Sequence, residues 1–75
     1  MNTKEIGRRL VELRAGRTQS EVAGALGISV SALGMYERGE RIPRDEVKIA
    51  IARFYDVTVQ DIFFAENDTK RVGGT

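Results

Sequence analysis

The side chains on which most enzymes and metal sites depend are missing from this chain. Its 75 residues include no cysteine and no histidine. This excludes disulfide bonds, zinc sites built on Cys or His, and nucleophilic catalysis by Ser-His-Asp or Cys-His groups. The carboxylates that remain are scattered along the chain. We therefore expect no enzyme, no metal and no other cofactor, and a protein without cysteines fits a reducing, cytoplasmic compartment.

Basic side chains are the chemistry that remains, and their distribution is more informative than their number. Twelve Lys and Arg against eleven Asp and Glu leave a net charge of only +1. The segment from residue 38 to residue 53, however, contains five basic residues and only three acidic ones. The first predicted helix and its end carry four arginines, Arg8, Arg9, Arg14 and Arg17. Such clusters favour contacts with phosphate groups, although ordinary solvated helix faces also carry them.

Apolar residues at helical spacing, with capping residues between them, predict an all-α domain of five helices. The predicted helices run from Thr3 to Ala15, from Thr18 to the stop at Gly27, from Val30 to Arg38, from Asp45 to Tyr55, and from Thr58 to Phe64. Residues 65–75 lack periodicity and are predicted to be a flexible C-terminal tail after a domain of residues 1–64. No stretch approaches the roughly 18 apolar residues of a membrane span, so we expect a soluble protein without a membrane partner.

The second and third helices form the outline of a helix-turn-helix. Thr18-Gln-Ser-Glu21 is a capping box, Gly27 can adopt a left-handed conformation, and Ser29 caps the next helix. The connection is so short that the two helices must cross steeply. Small Ala23 permits the close approach. An apolar wedge is expected to fix the crossing, formed by Val22, Leu26, Ile28, Leu33 and Tyr36.

Over about Ile6 to Phe64 the sequence resembles the Cro and phage-repressor family of DNA-binding domains, also called XRE-type regulators. The resemblance is carried by RRLVELR, TQSEVAGALGIS, SALGMYERGERIP and VKIAIARFYDVTVQDIFF. It implies a compact five-helix, lambda-repressor-like fold whose third helix enters the major groove, acting as a dimer on a palindromic operator. One departure is the segment between Arg14 and Thr18, which holds only Ala-Gly-Arg and is shorter than is usual in the family.

The resemblance also implies a set of site residues. Among them is Gln19, expected to contact the DNA backbone. Ser29, Arg38, Arg41 and Arg44 are also expected to contact the backbone, the last two together with Lys48 because they follow the third helix, while Arg38 could reach a base or a phosphate. The residues expected to contact bases are Val30, Ser31, Gly34 and Met35. A buried ion pair between Arg14 and Glu37 would tie the first helix to the third; the alternative is a surface pair of little energetic value.

The predicted base-reading surface contains no Gln, Asn or Arg, the residues that most often read bases by paired hydrogen bonds. We therefore expect readout through DNA shape and thymine methyl groups, with Gly34 leaving bare backbone for close approach and arginines placing the helix. Three alternatives stay open. Gly34 could relieve crowding between helices, Met35 could belong to the core or a partner surface, and Val30 could pack over the turn.

The densest apolar cluster is Ile62-Phe63-Phe64, and neighbouring aromatic residues of one helix cannot both point inward. We expect at least one of them to be exposed and the cluster to form the homodimer interface, and the dimer could be weak without DNA. The alternative is that Phe63 completes the core and the tail covers Phe64.

The predicted function is a transcriptional regulator, most simply a repressor that excludes polymerase. Alternatives are activation through acids such as Glu21, or an antitoxin or anti-repressor module that binds a regulatory protein partner.

Overall fold

The computed structural model describes residues 2–64, and all regular structure in that range is helical. The helices are α1 (Thr3–Arg14), α2 (Gln19–Leu26), α3 (Val30–Glu37), α4 (Asp45–Tyr55) and α5 (Gln60–Phe64), the last a single π-helical turn. The predicted all-α fold with five helices is confirmed. Within the described range no helix combines the length and the apolar character needed to cross a bilayer. The predicted tail lies outside the described residues.

Capping residues explain where the helices begin. The predicted capping box is present at α2: Thr18 Oγ1 accepts from the Glu21 amide at 3.0 Å, and the Glu21 carboxylate accepts from the Thr18 amide at 2.8 Å. The sequence also predicts Thr3 and Asp45 as caps of the first and fourth helices, and both predictions are wrong by one residue. The N-cap of α1 is Asn2, whose Oδ1 accepts from an amide one turn later, and the N-cap of α4 is Arg44, which makes no side-chain cap bond.

The chain leaves α1 through a tight turn that the sequence did not predict. Ala15, and not Gly16, adopts the positive φ of 53° with ψ of −123°. The Arg17 amide donates to the Arg14 carbonyl at 3.0 Å, which makes this a type II′ turn with alanine in a position that favours glycine. The short Ala-Gly-Arg connection is thus accommodated by ending α1 at Arg14, one residue earlier than predicted.

The core gathers apolar side chains from all five helices in two adjoining clusters. The larger contains Ile6, Leu10, Tyr36, Ile51, Ala52, Ile62 and Phe63; the smaller contains Val22, Ala23 and Leu33. Partly buried Leu26 and Ile28 touch both clusters, which confirms the predicted wedge. On α4 the apolar spacing predicts burial of Val47, Ala50, Ile51 and Phe54. Of these only Ile51 is buried and the others are half-buried, whereas Ala52 is buried.

Close backbone contact between α1 and the end of α3 depends on glycine. A Cβ at Gly7 would lie against the Glu37 carbonyl and only 3.0 Å from the Gly39 nitrogen. Lys4 adds a hydrogen bond from its Nζ to the Arg38 carbonyl at 3.3 Å. These contacts pack the N-terminal half of α1 against the C-terminal end of α3 and the residues that follow it.

Candidate nucleic-acid interface

The turn between α2 and α3 fixes the position of the third helix. Gly27 has φ of 73°, as predicted, and the Ile28 amide donates to the Ala23 carbonyl at 3.0 Å. This bond and the left-handed glycine form a Schellman motif that stops α2. Ser29 then caps α3, its Oγ accepting from the Ala32 amide at 3.0 Å. Three residues therefore separate the two helices, the spacing of a helix-turn-helix.

A buried carboxylate joins α1 and α2 to the back of α3. Glu37 accepts from Arg14 through both oxygens, at 2.7 Å from Nε and 3.1 Å from Nη2. Gln19 Nε2 donates to the same carboxylate at 2.8 Å. The Glu37 side chain is 4% exposed and that of Arg14 is 20% exposed, so the pair lies largely inside the protein. The bond to Glu37 also raises the pKa of the Arg14 guanidinium, which keeps it charged.

The outward side of α3 carries most of the predicted base-contacting residues. Val30 is 43% exposed, Ser31 is exposed, and Met35 is half-buried. Leu33 and Tyr36 point into the core instead, as predicted. α3 is thus held from behind while its N-terminal half faces solvent.

Gly34 is not the bare backbone that the sequence predicted. The residue is buried, and a Cβ there would meet the Arg38 guanidinium, with Nη1 at 2.9 Å, and no other helix. Arg38 in turn donates from Nε to Glu40 Oε2 at 3.0 Å and from Nη2 to Glu40 Oε1 at 3.2 Å. An arginine head group thus covers the glycine in this structure, and the nearest atoms to an added Cβ belong to that side chain and not to another helix. The predicted contact of Gly34 with DNA stays a prediction.

The basic residues after α3 divide into two groups. Arg41 and Arg44 are exposed and form no ion pair with any residue in the range 2–64. Lys48 is 9% exposed, and its Nζ lies 5.6 Å from the centre of the Phe63 ring and 5.1 Å from that of Phe64. Lys48, which the charge pattern placed on the same basic face, is thus turned toward aromatic rings.

The apolar residues of α5 also divide. Ile62 and Phe63 are 1% and 2% exposed and belong to the core of the chain itself, so neither offers appreciable surface to a partner. The prediction that they form a dimer interface is wrong for this reason. Phe64 is 45% exposed, which fulfils the expectation that at least one residue of the cluster faces outward.

Two polar contacts were missed in the sequence. The first is the bond from Gln19 to Glu37, because Gln19 was assigned only to phosphate contact. The second is the Arg38–Glu40 pair. The position of the Arg38 side chain over Gly34 could have been predicted, because the two residues are four apart on one helix face and arginine side chains lean toward the helix N-terminus. Within residues 2–64, no three acidic side chains are grouped so that they could hold a metal ion.

Comparisons with known proteins agree with this geometry. A family model described as helix-turn-helix matches residues 8–62, which is more than half of the chain. A protein of Methanocaldococcus jannaschii, described as an uncharacterized HTH-type transcriptional regulator, is 35% identical over 51 residues, covering 68% of this chain and 77% of that protein. No solved structure gives a significant match. With its capped α2, three-residue turn and outward-facing α3, the chain belongs to the helix-turn-helix family of DNA-binding transcriptional regulators, of the Cro/phage-repressor type.

Proposed function

We propose that this protein represses transcription by binding a palindromic DNA operator as a homodimer, with α3 of each chain in the major groove. The observation that carries the proposal is the two-sided environment of α3. Its inner side is fixed by Leu33, Tyr36 and the buried Glu37 carboxylate, while Val30 and Ser31 face solvent. A helix held rigidly with a free outer face is what base recognition in a groove needs.

Phosphate contacts would come from groups around the two helix starts. Arg41 and Arg44 are exposed and carry charge that no described ion pair neutralises. Ser29 and Gln19 lie at the N-terminal ends of α3 and α2, where unpaired backbone amides attract anions. The side-chain amide of Gln19 donates one N–H to Glu37, and its second N–H can donate to a phosphate oxygen.

Salt dependence tests these phosphate contacts. We expect the logarithm of the affinity to fall linearly with the logarithm of salt concentration, and Arg41→Gln and Arg44→Gln each to reduce that slope by about one. Arg53→Gln is the matched control, because it removes the same charge from the opposite end of α4. Binding that is insensitive to salt would instead indicate a protein-interaction module.

The homodimer would form around Phe64, the exposed aromatic residue of α5. A two-fold contact there would place two α3 helices about 34 Å apart, one turn of DNA. We expect Phe64→Ser to weaken dimerisation on an operator with two half-sites, measured by analytical ultracentrifugation. Val11→Ser is the control, since Val11 is 43% exposed but lies on α1. Equal effects of the two substitutions would argue against Phe64 as the contact.

Repression would follow from occupancy, because a dimer seated on a promoter excludes polymerase. Activation through Glu21 is less consistent with the structure, since that carboxylate is engaged in the α2 capping box. A reporter gene placed behind the selected operator tests the sign of regulation: expression should fall when the protein is present. A rise in expression would contradict the repressor role.

A further inference from the structure

Arg38 places a guanidinium in the middle of the outward face of α3. Its Nη1, Cζ and Nη2 atoms lie 2.9, 3.7 and 3.8 Å from the position that a Cβ of Gly34 would occupy. Residues 30, 34 and 38 follow one another at intervals of four along one helix face. The space left by the missing side chain of Gly34 is therefore occupied by an arginine head group, on the helix that also carries exposed Val30 and Ser31.

Glu40 holds that head group in place. Gly39, with φ of 74°, ends α3 in a Schellman motif: the Gly39 amide donates to the Tyr36 carbonyl at 3.1 Å, and the Glu40 amide to the Met35 carbonyl at 2.9 Å. The chain is thereby turned back, so that both oxygens of Glu40 accept from Arg38. The same hydrogen bond lowers the pKa of the Glu40 carboxyl, so the pair stays ionised to a lower pH than an isolated glutamate would.

Glu40 accepts only part of the hydrogen-bonding capacity of the guanidinium. An arginine head group has five N–H donors in a rigid plane. Glu40 accepts one from Nε and one from Nη2. The remaining donors include one N–H on each Nη, which point in parallel from the end of the fork. Two parallel donors match the O6 and N7 acceptors of guanine in the major groove.

We propose that Arg38 reads a guanine in each operator half-site, with Glu40 as its positioning residue and Gly34 providing the space that it occupies. The proposal rests on the proposed function, since it requires α3 in the major groove. It replaces the expectation that no Gln, Asn or Arg belongs to the reading surface of α3, and it moves Arg38 from a backbone contact to a base contact. Apolar contact from Val30 would then supplement the guanine contact.

The test begins with the wild-type protein and a pool of random DNA, from which bound sequences are selected. The selected half-site should contain one G·C pair whose replacement by A·T weakens binding roughly 5- to 150-fold, the range for a lost bidentate contact. Arg38→Ala should abolish this discrimination at that pair while leaving preferences at other positions intact. Thermal unfolding followed by circular dichroism confirms that each variant is folded.

Two milder variants, each with a matched control, test whether Glu40 and Gly34 position the Arg38 guanidinium without removing it. Glu40→Gln should reduce the discrimination by less than Arg38→Ala does. Its control is Glu12→Gln, which removes the same charge from another exposed ion pair, that with Arg8, and should leave the discrimination unchanged. Gly34→Ala should also lower the discrimination by displacing the guanidinium. Its control is Gly24→Ala, which has nothing within 4 Å of the added Cβ and should leave discrimination unchanged.

The outcomes distinguish this proposal from the proposed function. If Arg38→Ala weakens binding to all sequences equally and lowers the salt slope by about one, Arg38 contacts phosphate and the guanine assignment is overturned. Unchanged discrimination in both Glu40→Gln and Gly34→Ala overturns the positioning role. If the wild-type protein enriches no sequence at all, the proposed function fails, and the guanine assignment with it.

Discussion

The buried Glu37 carboxylate allows a quantitative prediction about how α3 is held. Replacing Arg14 by Met keeps a side chain of similar length but leaves Glu37 with the single N–H of Gln19 as its partner. Breaking a buried ion pair in this way typically costs about 3–5 kcal/mol. Because Arg14 is 20% exposed and water can reach its place, we expect about 2–3 kcal/mol. A domain of this length has a total stability of roughly 4–11 kcal/mol, so the loss is a large fraction.

Replacing Glu37 by Met should lower the free energy of unfolding by less than replacing Arg14 does. In Glu37→Met the guanidinium of Arg14, already 20% exposed, remains in contact with solvent and keeps its bond to the Arg17 carbonyl at 2.9 Å. We expect a loss of about 1–2 kcal/mol from this variant. The double variant leaves no unpaired buried charge. Its loss of stability should therefore be smaller, by about 1–2 kcal/mol, than the sum of the losses in the two single variants.

Urea unfolding of the wild type, the two single variants and the double variant, followed by circular dichroism, measures this coupling. The matched control is the same cycle on Arg8 and Glu12, whose side chains are 55% and 62% exposed; a coupling of about 0.3–0.5 kcal/mol is expected there. If the Arg14–Glu37 coupling is no larger than the control, or if Glu37→Met costs more than Arg14→Met, the reasoning from burial is wrong.

Three further predictions concern the backbone and the surface ion pair. Gly7→Ala should destabilise the fold by about 1–3 kcal/mol, because the new Cβ would press on the Glu37 carbonyl; urea unfolding measures the loss, and a neutral result would contradict the close approach. Ala15→Gly should raise the unfolding free energy by about 1 kcal/mol, since φ of 53° with ψ of −123° favours glycine; a lower melting temperature would refute it. Glu40, whose pKa is lowered by its hydrogen bond to Arg38, should titrate at a lower pH in the wild type than in Arg38→Ala. Its stabilising contribution is present above the unfolded pKa and is lost as the pH falls through the folded pKa; equal NMR titration midpoints would show that the pair does not form in solution.

The framework of the fold could be predicted from sequence because local signals agree with one another. The capping box at Thr18, the glycine at position 27 and the cap at Ser29 each specify backbone geometry within a few residues, and the structure has all three. The bounds of α4 follow from apolar spacing in the same way. Such features need no knowledge of the remainder of the chain.

The errors lie where contacts depend on tertiary geometry or on side-chain direction. Phe63 and Phe64 are neighbours of the same residue type, and the decision that one is core and the other exposed depends on how α5 packs against the other helices. The cover over Gly34 depends on the direction of the Arg38 side chain and on the turn that returns Glu40 to it. A reading of residue types alone treats glycine as an empty place, although a long side chain four residues later can fill it.

Operator recognition by a dimer can be tested by selecting bound sequences from random DNA and measuring the stoichiometry of the complex on the selected site. We expect enrichment at low salt of an inverted repeat whose half-sites are about one helical turn apart, bound by two chains. We also expect substitutions on the outward face of α3, such as Ser31→Ala, to change the selected sequence. No enrichment at low salt, or a selected sequence unaffected by changes on α3, would contradict operator recognition through α3.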